Sequence, residues 1–146
     1  CKRLFESYTK TWKSDIYLEE PEQNLFPQTQ VELIYDLLRR REAHQDKIFI
    51  ATHSPYILYA LNNAMLAYYV KDTILDAVKD EISCLNVSCN PEQVSVWQIK
   101  EGYLQGIDMK NNTIQDSKHL IRKNYFDGIM GNIMSDFNNM VNFYEY

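Results

Sequence analysis

The stretch that decides the fold runs Asp15-Ile16-Tyr17-Leu18-Glu19-Glu20-Pro21-Glu22-Gln23-Asn24-Leu25-Phe26-Pro27, and it is answered by Lys47-Ile48-Phe49-Ile50-Ala51-Thr52-His53-Ser54-Pro55. Each opens on an apolar run too short for a helix and stops at polar residues and a proline. Pro21 cannot continue a sheet ladder and biases Glu20 away from helical geometry. A strand over residues 16–19 therefore ends with its carboxylates at the C-terminal edge. Residues 47–51 form a second strand, ending at Thr52, His53 and Ser54. Between the two, Pro27 suits the first turn of a helix, and Val31, Leu33, Ile34, Leu37 and Leu38 recur with a helical period. Arg39-Arg40-Arg41 falls near the negative end of that helix's dipole and reads as a solvated helix end.

Outward from this unit, Ser54 can cap and Pro55 can start a further helix over 55–62, and Met65 heads an apolar run over 65–70 that reads as a third strand. Strand, helix, strand, helix, strand is the pattern of a parallel α/β sheet. Beyond residue 72 the character changes, so the chain divides into an α/β core over 1–72 and a second part over 73–146. In the second part residues 94–99 alternate, Glu101-Gly102 supplies a tight turn, and Tyr103-Leu104-Gln105 completes a hairpin. Asn111-Asn112 marks another turn, residues 116–124 a short helix, and residues 126–144 a longer one with Ile129, Ile133, Phe137, Met140 and Tyr144 on one face. Upstream, Leu4, Phe5, Tyr8 and Trp12 suit the end of an amphipathic helix. Tyr56, Tyr59, Tyr68 and Tyr69 suit core packing better than a base-stacking platform, and Trp97 reads as packing.

Composition narrows the function. The 146 residues carry a formal net charge of -5, which argues against general binding to a phosphate backbone. Only four glycines occur, Gly102, Gly106, Gly128 and Gly131, so no glycine-rich phosphate-cradling loop stands between an early strand and helix. Cys1, Cys84 and Cys89 are too scattered for a disulfide framework or a zinc knuckle, which favours a reduced, cytoplasmic setting. No secretory signal is visible, and the most apolar stretch, over 56–70, is too short and too polar at Asn62 and Asn63 to span a bilayer. A chain beginning with Cys1 reads as a piece of something longer.

In an open parallel sheet, ligands sit beyond the carboxyl ends of the strands. Glu19, Glu20 and Glu22 close one strand here, and Thr52, His53 and Ser54 close the other. A crossover of about thirty residues between them has an ordinary length for a strand-helix-strand unit. Neighbouring strands would bring the acids and the imidazole to one site, with Glu19 and Glu20 on different sides and in different roles. Such a set can hold a divalent cation and orient a water for attack on phosphorus.

The residues from Asp15 to Pro27 resemble the Walker B segment and D-loop of ABC-type ATPases, most closely the SMC-like and overcoming-lysogenization-defect-like branch of the P-loop NTPases. Residues from Ile48 to Pro55 look like that family's switch strand and histidine loop, in the matching order and at the matching separation. The resemblance implies an α/β fold, the parallel-sheet C-terminal half of a P-loop NTPase carrying a small β-hairpin and C-terminal helices. It implies that Glu19 helps to hold Mg2+, that Glu20 polarises the attacking water, and that His53 contacts the γ-phosphate of ATP. Glu22, Gln23, Asn24 and Leu25, with Pro21, align with the D-loop, which in the family meets the opposite head. One departure is Glu19, where the family usually has Asp. Another is the lack of a Walker A loop and of the signature motif; residues 1–13 look like the tail of the signature helix.

The expected function is thus half of an ATP-hydrolysing head, inactive without its N-terminal half. Its partners would be that half, a second head in a homodimer, and DNA through the complete protein. Two other readings stand beside it: a non-catalytic dimerisation or interaction module from a split or degenerate ATPase, and a metal-dependent phosphohydrolase using Glu19, Glu20, Glu22 and His53 without nucleotide.

Overall fold

A computed structural model describes residues 14–105, 114–122, 124–141 and 143–144. The amphipathic run containing Leu4 to Trp12 and the turn at Asn111-Asn112 lie outside these. Strand β1 (Asp15–Glu19) is followed by helix α1 (Pro27–His44), strand β2 (Lys47–Ala51) and helix α2 (Pro55–Val70). The two strands pair in parallel with Ile16 opposite Ile48 and Glu19 opposite Ala51, so both chains leave the sheet at the same end. Period-two alternation sets the two faces. Leu18, Ile48 and Ile50 pack on the helices, whereas Tyr17 and Phe49, opposite each other in register, stack with centroids 4.8 Å apart on the outer face. Tyr17 remains 70% and Phe49 52% exposed.

The helices supply the core. Ile34, Tyr35 and Leu37 of α1 pack with Ile57, Ala60 and Ala67 of α2, together with Cys84 and Val87. Met65 and Ala64 are fully enclosed. The expected third strand over 65–70 is a mistake in reading: those residues continue α2, which runs to Val70 instead of stopping at Asn62. Ile57, Ala60, Ala64 and Ala67 recur at three and four residues, and Ile57, Ala60 and Ala67 pack against α1. Helical burial of that stripe outweighs the short apolar run that mimics a strand. The described residues thus contain one parallel pair in place of a three-stranded sheet.

At the far end of α1, Gln45 ends the helix in the left-handed conformation and its N–H returns to the Arg41 carbonyl at 2.7 Å. Asp46, whose side chain is wholly buried, accepts from the Ser14 N–H at 2.9 Å and from Arg40 Nε at 3.2 Å. The basic triplet is therefore not merely solvated, because Arg40 neutralises a buried carboxylate that ties the start of β1 to the turn before β2.

The chain separates into two compact units, 1–88 and 89–146, a division later than the change of character placed after residue 72. In the first, one helical turn, α3 (Asp76–Lys79), follows α2. In the second, β3 (Gln98–Lys100) and β4 (Tyr103–Gln105) form the expected hairpin, with Glu101 and Gly102 both at positive φ in its two-residue turn. The helix expected over 116–124 does not form. Gln115 instead bridges Ile121, and the Asp116 carboxylate accepts from the N–H groups of Lys118 and Leu120 and from Arg122 Nε. A side chain that satisfies backbone donors locally competes with helix, and here it wins. The last helix, α4 (Tyr125–Val141), buries none of its residues, and Ile133, Phe137 and Met140 all stay open. Tyr56, Tyr59, Tyr68, Tyr69 and Trp97 are likewise more exposed than core packing requires.

Candidate active site at the carboxyl ends of the strands

Parallel pairing delivers the post-β1 and post-β2 segments to one edge. The Glu20 N–H extends the ladder by donating to the Ala51 carbonyl at 2.8 Å. Glu20 then turns with φ 43, a left-handed conformation that a side chain other than glycine or asparagine adopts at a cost of about 1–2 kcal/mol. Pro21 follows, the Gln23 N–H returns to the Glu20 carbonyl at 3.0 Å, and the Leu25 N–H returns to the Glu22 carbonyl at 3.0 Å. This tight turn carries the chain from the strand into α1 and faces the Thr52-His53-Ser54 segment.

Across the gap, His53 Nε2 lies 3.5 Å from Glu20 Oε1, with the imidazole 88% exposed and Glu20 partly covered. Gln23 Nε2 also donates to Glu20, at Oε2. Glu20, Glu22, Gln23, Gln30, His53, Ser54, Pro55 and Tyr56 line an open cleft of about 360 Å³. Glu19 is not among the lining residues; it is exposed on the outer face of β1, the face of Tyr17. The expected division between Glu19 and Glu20 is therefore geometric: the first points off the sheet and the second into the cleft. Among the described residues no three acidic, His or Cys side chains converge as a metal-ligand set.

Below the cleft two polar bridges join the segments. Glu22 Oε1 accepts from the Thr52 hydroxyl at 2.7 Å and from the His53 N–H at 2.8 Å, while Oε2 is buried with no donor. Burial pushes the Glu22 carboxyl up, but the Thr52 hydroxyl, the N–H groups of Glu22 and His53, and the nearby imidazole outweigh it. The net effect holds Glu22 below its ordinary 4.5. In the second bridge, buried Gln30 donates through Nε2 to the Leu25 carbonyl at 2.9 Å and accepts the Ser54 hydroxyl at Oε1. Ser54 Oγ in turn accepts from the N–H groups of Tyr56 and Ile57 at the start of α2.

The structure thus gathers Glu20, Glu22, Gln23 and His53 in one cleft, leaves Glu19 outside it, and places Asn24 exposed on the turn at φ 62. Leu25 contributes its carbonyl to Gln30. Sequence reading missed Gln30. A signal was available, since Gln30 precedes Ile34 and Leu37 by four and seven residues and so occupies the buried stripe of α1, where a polar side chain needs partners. Chemically, an exposed imidazole beside a carboxylate, on a backbone held in a strained turn, is suited to positioning water against an anionic group. Compared with known proteins, the chain matches no family model, no curated protein and no solved structure.

Proposed function

We propose that this chain carries the water-activating part of an ATP-hydrolysing head of the ABC/SMC-like type. The observation that supports the reading is the approach of Glu20 and His53, 3.5 Å apart across the ends of two parallel strands. In this reading the Glu20 carboxylate accepts a hydrogen bond from the attacking water and takes its proton as the water closes on the γ-phosphate. His53 donates from its ring to the γ-phosphate oxygens, and its exposure leaves it able to reach them. Gln23, bonded to Glu20, holds the carboxylate in orientation until substrate arrives.

By the resemblance Glu19 would be the carboxylate offered to Mg2+, a hard cation that is usually bound by one or two carboxylates together with substrate phosphates and water. When bound, the ion would neutralise phosphate charge. Glu19 nevertheless stands outside the cleft, on the Tyr17 face of β1, and no ligand set converges among the described residues, so no step is assigned to the ion. The chain's own sequence provides no glycine-rich loop for the phosphates, so binding energy must come from a complementary half, and a second head would meet the turn at Gln23 and Asn24. DNA engagement would belong to the complete protein.

The test is Glu20→Gln in the complete protein. Amide replaces carboxylate at nearly constant shape, so ATP affinity should persist while turnover falls by about a hundredfold or more, the range for loss of a general base. Unchanged turnover rejects the reading.

A further inference from the structure

We propose that Glu22 is a positioning residue whose carboxylate fixes the Thr52–His53 backbone and thereby aims the His53 ring at Glu20. The turn after β1 was expected to face outward to a partner, yet Glu22 is folded inward. A single oxygen, Oε1, accepts both the Thr52 hydroxyl at 2.7 Å and the His53 N–H at 2.8 Å. Thr52 Oγ1 also accepts the Ser54 N–H at 3.0 Å, so the three residues after β2 hang from one carboxylate of the opposite segment.

The imidazole itself is almost wholly in solvent and is held by little packing, with Glu20 Oε1 3.5 Å from its Nε2. Its placement is therefore inherited from its backbone, and the backbone is set by Glu22. The latch also joins two segments that sequence places thirty residues apart, since Thr52 and Glu22 are separated by 30 positions. Glu22 Oε1 carries both contacts, whereas Oε2 is buried without a donor among the described residues. Glu22→Gln is the control, because an amide keeps an acceptor oxygen at the place of Oε1 while removing the charge, which separates acceptor geometry from electrostatics.

The experiment has two arms. In this chain, hydrogen exchange followed by NMR compares the His53 amide with the β2 amides of Phe49 and Ala51, which the parallel register directs at β1. Glu22→Ala should speed exchange at His53 about tenfold or more and leave Phe49 and Ala51 within about twofold, whereas Glu22→Gln should keep His53 within about threefold of the parent. Should Glu22→Ala not fold, Glu22→Asp, one methylene too short to reach, serves in its place with the same expected loss. An unchanged His53 amide, or equal loosening at His53, Phe49 and Ala51, overturns the latch. So does a Glu22→Gln effect as large as that of Glu22→Ala, which would make charge the important property.

The second arm rests on the ATPase reading and uses the complete protein: Glu22→Ala should lower kcat about tenfold with KM for ATP within about twofold, and Glu22→Gln should restore kcat to within about threefold. A loss confined to KM, or no rescue by Gln, counts against positioning. A parent protein without ATPase activity would reject the functional reading, and the exchange arm would still decide the latch.

Discussion

Glu20 occupies the most demanding backbone position of the candidate site, in the left-handed region at φ 43 with its side chain turned into the cleft. Such conformations persist where surrounding contacts over-determine them, and here the Ala51 carbonyl on one side and the Gln23 N–H on the other hold the residue. Glu22 beside it titrates differently from an ordinary surface carboxylate. Its folded-state value lies below 4.5, so the group binds protons more weakly in the folded than in the unfolded chain. The stability it contributes is present above pH about 4.5 and is lost as pH falls through the depressed folded value. Thermal unfolding followed between pH 6 and pH 3 should therefore fall less steeply at the acid end for Glu22→Gln than for the parent. A parent and variant with parallel acid limbs would remove Glu22 from the acid response.

At the scale of elements, α2 begins where the two bridges end. Ser54 is buried, caps α2 through Oγ and donates to Gln30 of α1, so one hydroxyl joins two helices and a loop. Ser54→Ala should cost about 1 kcal/mol for the cap, and about 1–3 kcal/mol more for the Gln30 oxygen left without its donor. Urea unfolding measures the sum; a loss under about 0.5 kcal/mol would show that water replaces the hydroxyl at little cost. The cap was legible from Ser54-Pro55, as was the start of α1 from Pro27, because proline's fixed φ and serine's short acceptor act locally. The extent of α2 was not. Met65 to Val70 carries β-compatible residues, and the packing of Ala60 and Ala67 against α1, with Ala64 and Met65 enclosed, makes helix the lower-energy choice. The tight Asp116 loop was missed for the opposite reason: its carboxylate satisfies backbone donors in place of a helix, a contest that composition does not reveal.

At the scale of the whole molecule, two features are left open. Parallel sheets are ordinarily covered on both faces, yet the outer face of β1 and β2 presents the Tyr17–Phe49 stack, and α4 leaves its apolar stripe exposed. The sequence also offers no glycine-rich loop of the kind whose backbone N–H groups supply much of the energy of phosphate binding. Isothermal titration of MgATP into the isolated chain should accordingly show binding weaker than about 1 mM. A dissociation constant in the micromolar range would mean that the cleft alone recognises nucleotide. By itself the sequence determined what local chemistry can dictate: two short strands closed by acids and by Thr52-His53-Ser54, the proline-led helices between and after them, and the Glu101-Gly102 hairpin turn. Only tertiary structure decided that β1 and β2 are adjacent and parallel, that Glu20 and not Glu19 faces His53, that Glu22 turns inward to hold the opposite loop, and that Gln30 links α1 to Ser54. The reason is one of range. Caps, turns and periodicity act over a few residues, whereas each of these contacts joins groups more than twenty positions apart, and their geometry exists only once the apolar faces of the helices have packed.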